Sequence, residues 1–437
     1  MKKVKNRAFS ALIIAFAVII GMGLYVYRYA QNGEKWATFT ADSQIVTNEG
    51  KLISGTVLDR NGILLARAEN SEQTYNDNAL IRSSTLHAVG DFPGNIGTGA
   101  LSAFADELSG YNPVTGVTGE GGTVQLSIDA NINSVAYEAM AGRPGAVLVS
   151  NYETGEIICM VSTPSYDPLV GFDLNDSAYA GAYLNRCISS AFTPGSVFKL
   201  VTVAAALEQL DDIYNRRFSC EGRTYVNGAE INCTGTHGEQ TIEEALANSC
   251  NCAFAELSLA LGGDTLAAYA EGFGFTASHS LNGIDTKKGK FEAFTSGSAG
   301  LAWSGIGQAT DLVCPYSMLR FTSAIANGGT VVEGSLLLGE TGKMSTLLRP
   351  DTAEALGDMM SYNVHASYGT WLFPGLDICA KSGTAEVGDG SSHSWFTGFI
   401  RNEGCPYAFT VMIEGGGGGL ANAGSVANTV LQALVSG

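Results

Sequence analysis

The stretch Ala191-Phe-Thr-Pro-Gly-Ser-Val-Phe-Lys-Leu200 decides the reading of this chain. Pro194 and Gly195 punctuate it, and Ser196 through Glu208 then reads as a helix. Ser196 therefore stands at a helix N-terminus, where side-chain oxygens are favoured. Lys199 lies one turn further on, so its amine can fold back onto the serine. A serine hydroxyl alone is a weak nucleophile. A lysine that burial and nearby positive charge have stripped of its proton can accept the serine's. The helix dipole favours an oxyanion at the same place. Taken alone the S-x-x-K spacing is common, and a plain N-cap beside a solvated lysine explains it equally well.

Two further stretches change that balance. Asn248-Ser-Cys-Asn-Cys-Ala-Phe254 contains an S-x-N. Ser249 can relay a proton to a leaving group, and Asn251 can hold a substrate amide. Downstream, Ala380-Lys-Ser-Gly-Thr-Ala-Glu386 enters a strand. Lys381 supplies charge that can depress the pKa of Lys199 or bind a carboxylate. Ser382 and Thr384 offer hydroxyls to that carboxylate, and Gly383 lets a substrate lie close against the strand. Each has a bland reading as cap, surface residue or solvated charge. S-x-x-K, then S-x-N, then K-S-G-T in one exported domain is a catalytic set.

The chain has 437 residues, too long for one ordinary domain, and a formal charge of −18 that argues against nucleic-acid binding. Its start differs from the rest. Residues 1–8 are basic and 9–27 carry no charge, a length that crosses a bilayer as a helix. The positive-inside rule puts residues 1–8 in the cytoplasm and the remainder outside. A cleaved signal peptide fits less well, because the apolar run is long and no small-x-small site follows. Residues 28–135 are expected to form a membrane-proximal pedestal and 136–437 the catalytic domain.

In the pedestal, apolar alternation on both sides of Asp59-Arg-Asn-Gly62 predicts a β-hairpin with a structural turn. His87 is placed in a loop. In the catalytic domain, Gly145–Tyr152 and Ile157–Ser162 read as a hairpin. Helices are expected over 241–273 and from Pro350, then strands at 383–387, 394–400 and 407–413, and a final helix over 423–435. Helices mid-domain with strands at both ends predict an α+β fold around an antiparallel sheet.

Nine cysteines are present. Cys220 and Cys233 end a polar hairpin with an Asn-Gly turn, and in an exported domain a disulfide between them is expected. A zinc site using the nearby His237 lacks an obvious fourth ligand, so no metal is expected.

With these motifs in place, the chain resembles the class B penicillin-binding proteins, the monofunctional transpeptidases, over nearly all its length. The shared segments are residues 55–62, Ser127-Ile-Asp129, the run 155–168, Ser304-Gly-Ile-Gly-Gln308, Ala326-Asn-Gly-Gly329 and Ser394-Trp-Phe-Thr-Gly-Phe399. Ser54 stands where the family usually has an arginine, and the short first segment resembles the compact type. The resemblance implies a penicillin-recognition fold, like that of serine β-lactamases and transpeptidases. It implies that Ser196 attacks the D-Ala–D-Ala carbonyl of a peptidoglycan stem peptide, with Lys199 as base and Ser249 aiding departure of D-Ala. The backbone N–H groups of Ser196 and Thr384 would hold the oxyanion. A second stem peptide would open the acyl-enzyme, β-lactams would acylate Ser196, and no cofactor would be needed. A SEDS-type glycosyltransferase is the partner so implied. The alternatives are a D,D-carboxypeptidase, a class D-like β-lactamase, or a β-lactam sensor or idle scaffold. An idle scaffold should have lost a motif residue, and none is lost.

Overall fold

The computed structural model describes residues 2–37, 54–69, 72–112, 116–117, 121–388 and 390–436. The stretch 38–53 of the expected pedestal lies outside the described residues. Helix α1 (Lys2–Ala37) carries the uncharged run, and the large apolar side chains described between Phe9 and Tyr27 are exposed. Among the described residues no helix is long and apolar enough to cross a membrane.

The hairpin around Asp59 forms as β1 (Gly55–Leu58) and β2 (Leu64–Glu69), antiparallel, with β3 (Glu72–Tyr75) beyond β2. Helix α2 (Ala79–Val89) follows, capped by Asn78. His87 therefore lies on a helix, not in a loop. The run Ser83-Ser-Thr85 hid that helix, because such residues compete with the backbone for hydrogen bonds. The imidazole is buried, 2.9 Å from the Ala182 carbonyl oxygen, and burial pushes its pKa down to about 4. It is a satisfied core histidine.

Strand β4 (Thr123–Gln125) pairs parallel with β1. It leads into helix α3 (Ala130–Met140), whose N-cap is Asp129. The turn residue Asp59 is fully buried at this junction. Its carboxylate accepts from the N–H groups of Asn61 (2.8 Å), Ile63 (2.7 Å) and Ala130 (3.0 Å). Arg60 pairs with Glu156 at 3.3 Å. The Asp-Arg-Asn-Gly turn thus joins the small sheet to the first turn of α3. Asp59→Ala leaves those donors unpaired and is expected to destabilise the protein by about 3 kcal/mol, read as a lower thermal midpoint. An unchanged midpoint would remove Asp59 from this role.

The main sheet has five antiparallel strands: β5 (Gly145–Asn151), β6 (Ile157–Thr163), β7 (Ile378–Glu386), β8 (Ser392–Ile400) and β9 (Tyr407–Ile413), in the order β7-β8-β9-β5-β6. Strands β5 and β6 are apolar runs rather than alternating ones, because both sheet faces are covered. One face packs against α3 and the C-terminal helix α10 (Ser425–Ser436), through Ile132, Ala136, Val426 and Val430. The other face meets α8 (Pro315–Ala326) and the helical layer behind it. That layer contains α4 (Lys199–Gln209), α5 (Ile242–Ala247), α6 (Asn251–Leu261) and α7 (Gly263–Gly272), while α9 (Pro350–Asn363) packs directly on β7, where Asn363 donates to the Ala380 carbonyl at 3.0 Å. The α+β expectation holds. The junction expected at 135/136 falls inside α3, which packs on β6 and α10.

Candidate active site

Gly195–Phe198 forms one turn of 3₁₀ helix that runs directly into α4, so Ser196 sits on the entry turn. Gly195 has φ +57°, and a Cβ there would lie 2.9 Å from the Thr384 carbonyl oxygen and from Ala385. A Cβ on Gly383 would lie 3.1 Å from the Pro194 carbonyl oxygen and the Val197 nitrogen. Two glycines thus let the nucleophile turn rest directly on β7. The turn is held from both sides, since Gly195 N–H donates to the Gly307 carbonyl at 2.8 Å and buried Trp395 donates to the Thr193 carbonyl at 3.0 Å. Ser196 is half-buried within this frame.

Lys199 and Lys381 are both fully buried. The Lys199 amine donates to the Ser249 carbonyl (2.6 Å) and to Asn251 Oδ1 (2.8 Å), and lies 3.2 Å from Ser249 Oγ. Lys381 reaches the same hydroxyl at 3.1 Å and its own neighbour's carbonyl, that of Ser382, at 2.7 Å. Ser249 is a non-glycine residue at φ +51° in the break between α5 and α6. The strained backbone aims its Oγ between the two amines.

Burial lowers the Lys199 pKa to about 7, against the opposing pull of Cys250, Cys233 and Cys252. For Lys381 burial again comes first, followed by repulsion from Lys199, and the shift is well downward. The expected influence of Lys381 on Lys199 therefore shows on Lys381, while Lys199 owes its depression to desolvation.

Strand alternation separates the rest of the K-S-G-T stretch. Lys381 and Gly383 face the nucleophile turn, whereas Ser382 and Thr384 project to the face that α10 covers. There they line a cavity of about 640 Å³ with Leu372, Phe373, Gly419 and Asn428. Neither Ser196 nor Lys199 borders that cavity. Ser382 Oγ donates to the Tyr368 hydroxyl at 3.1 Å, and Thr384 Oγ1 accepts from Gly419 N–H at 3.2 Å. The structure thus assembles Ser196, Lys199, Ser249, Asn251 and Lys381, and sets the two hydroxyls on the opposite side of the strand.

β7 is an edge strand. Its Ser382 N–H points away from β8 and donates to the Tyr368 hydroxyl at 2.9 Å. Four residues on, Gln308 accepts from Glu386 N–H at 3.1 Å and donates to its carbonyl at 3.3 Å, with its amide oriented to satisfy both. Between them the Thr384 N–H faces the same edge, beside the Ser196 turn. Sequence reading found neither Tyr368 nor the contact made by Gln308. Gln308 lay in the quoted Ser-Gly-Ile-Gly-Gln segment, but nothing around Tyr368 marked it.

The expected disulfide is not formed. Cys220 and Cys233 are free thiols, and the ring nitrogen Nδ1 of His237 lies 3.5 Å from each sulfur. Cys250 joins them, and the four ligand atoms lie within 4.8 Å of one another. Cys250 went unrecognised as a partner because it sits inside the S-x-N motif.

A turn-borne serine with two buried lysines around a second serine defines an active-serine acyl-transfer enzyme of the S-x-x-K kind. The family described as the penicillin binding protein transpeptidase domain matches residues 145–436. The chain belongs to this family, in its class B branch. It is 29% identical over 372 residues to the peptidoglycan D,D-transpeptidase PbpA of Mycolicibacterium smegmatis, covering 76% of this chain and 74% of that protein. Its fold matches a D,D-transpeptidase domain from Eggerthella lenta with a TM-score of 0.74 at 26% identity, over 88% of this chain and 98% of that one. It also matches penicillin-binding protein A of Mycobacterium tuberculosis in its penicillin G acyl-enzyme complex, with a TM-score of 0.73 at 24% identity, over 87% and 99% of the two chains.

Proposed function

We propose that this chain is a peptidoglycan D,D-transpeptidase that cross-links stem peptides through an acyl-enzyme on Ser196. The observation that carries the reading is the pair of buried lysines meeting at Ser249 Oγ beside the Ser196 turn. Neutral Lys199 takes the proton as Ser196 Oγ attacks the penultimate D-Ala carbonyl. The N–H groups of Ser196 and Thr384 hold the oxyanion. Ser249 passes a proton to the departing D-Ala, and Lys381, 3.1 Å from Ser249 Oγ, orients that hydroxyl for the transfer. Asn251 orients the peptide amide. The hydroxyls of Ser382 and Thr384 contact that carboxylate only from beside the strand edge. No cofactor takes part. The test is D-Ala release from a stem pentapeptide with and without an amine acceptor. A cross-linked product that grows with acceptor supports transpeptidation, and release as free tetrapeptide alone makes the chain a carboxypeptidase.

The pH dependence has a definite sign. The base works only when neutral, and its pKa is lowered to about 7. β-Lactam acylation is expected to rise about tenfold per pH unit below that value and to level off above it. A rate flat from pH 5 to 8 would remove Lys199 as the titrating base.

We further propose that residues 9–27 form a single membrane anchor, with 1–8 cytoplasmic and 28–437 outside. The uncharged run on α1 and its exposed apolar side chains support this. Residues 28–135 form the pedestal, with the junction to the catalytic unit at α3, and a SEDS-type glycosyltransferase is the partner expected along anchor and pedestal. Protease added to intact cells should cut the catalytic domain, and full protection would reject the topology.

A further inference from the structure

The cysteine cluster next to Asn251 has the dimensions of a metal centre. Bonds of about 2.3 Å from zinc to sulfur, at the tetrahedral angle, set two sulfurs about 3.8 Å apart. A zinc–nitrogen bond of about 2.0 Å sets nitrogen about 3.5 Å from sulfur. Cys233 and Cys250 have their sulfurs 3.8 Å apart, and His237 Nδ1 lies 3.5 Å from the sulfurs of Cys220 and Cys233. These edges fit one tetrahedron, and the Cys233–Cys250 edge is far too long for a disulfide, whose S–S bond is about 2.05 Å. The backbone treats the sulfurs as acceptors. Asn251 N–H points at Cys233 Sγ (3.2 Å) and Ala253 N–H at Cys250 Sγ (3.5 Å), the latter from the N-terminal turn of α6.

We propose that Cys220, Cys233, His237 and Cys250 bind one zinc ion in a closed, structural site. Three thiolates and one imidazole suit Zn²⁺ and not Ca²⁺ or Mg²⁺, which take oxygen ligands. With four protein ligands no position is left for substrate or water. Each thiol releases its proton to solvent as it ligates. The ligand pattern, C-x₁₂-C-x₃-H-x₁₂-C, draws on three pieces of chain. Cys220 ends a short strand, Cys233 follows the hairpin Arg223–Val226 and Ala229–Asn232, and Cys250 precedes α6. Zinc fastens that hairpin to Cys250, the N-cap of α6. Asn251 is gripped on both sides of this fastening: its Nδ2 donates to the Asn232 carbonyl at 2.8 Å while its Oδ1 receives the Lys199 amine. The metal is therefore a positioning element for Asn251, a consequence that rests on the proposed transpeptidase reading.

Metal content tests the site independently of activity. The full chain, purified in mild detergent under reducing conditions without chelator, is expected to retain about one zinc per chain by elemental mass spectrometry. Cys220→Ser and His237→Ala should each lose most of it, and Cys405→Ser, away from the cluster, should lose none. Growth of the parent in cobalt should give the ligand-field bands of tetrahedral Co²⁺ with thiolate-to-cobalt charge transfer, a readout that needs no folded variant. Absence of zinc together with a Cys220–Cys233 disulfide, zinc content unchanged in both ligand variants, or a cobalt spectrum without the thiolate band would each overturn the site. Loss of zinc with unchanged β-lactam acylation would keep the site and reject its role at Asn251. Zinc binding in a chain that labels with no β-lactam would reject the transpeptidase reading alone.

Discussion

Ser196→Ala is expected to abolish covalent labelling by penicillin and leave the fold intact. Ser196 is half-buried at the start of its turn, and among the described residues the hydrogen bonds that hold the turn run through Gly195 and Thr193, not through the Ser196 hydroxyl. The turn is held instead by Gly307, by Trp395 and by close packing of Gly195 and Gly383 against their neighbours. Removing one oxygen leaves all of that in place. The thermal midpoint should move by less than about 1 kcal/mol in stability terms. Intact mass after incubation with penicillin reads the result: the parent gains one acyl adduct and the variant none. An adduct that survives, or that maps to Ser249, would end the assignment of Ser196 as nucleophile.

Lys199→Arg should slow acylation by about a thousandfold, within the range that positioned general bases supply. The variant keeps a positive charge but cannot lose it at neutral pH, because a guanidinium remains protonated. Its failure would separate the base from a mere counter-charge. Lys199→Met, which removes the charge and keeps the bulk, is the companion: both should be slow if the lone pair matters. Each variant is checked for its unfolding midpoint, since Arg is the larger residue in a fully buried place. A Lys199→Arg protein that is acylated within tenfold of the parent would show that the base lies elsewhere.

What the sequence disclosed follows the range of the interactions. Ser196 and Lys199 are one turn apart, so their relation was legible from spacing. S-x-N and K-S-G-T were legible as motifs, though nothing local says that Ser249 Oγ would be shared by two lysines. That sharing depends on a left-handed residue between two short helices, and on burial that composition does not reveal. Strand alternation, which sets Ser382 and Thr384 on the face opposite Lys381, is not apparent from the motif read as a string. The cysteines show the same limit. A polar hairpin closed by Cys220 and Cys233 suggested a bridge; His237 was visible beside them in sequence, whereas Cys250 is brought in by the fold. The antiparallel sheet was legible from β5, β6, β8 and β9, while α2 was hidden by its run of hydroxyl residues.

The edge of β7 carries a consequence for what the enzyme admits. A bare strand edge is a template for any other chain, including a second copy of itself, and invites aggregation. Here Tyr368 occupies the edge at Ser382 and Gln308 occupies it at Glu386, which leaves the position of Thr384 between them for a newcomer. A whole foreign strand would have to displace both side chains. A short extended peptide with its scissile bond at that position displaces neither. Recognition by strand addition is thereby cut down to a single rung, which accepts the end of a stem peptide and turns a β-sheet away.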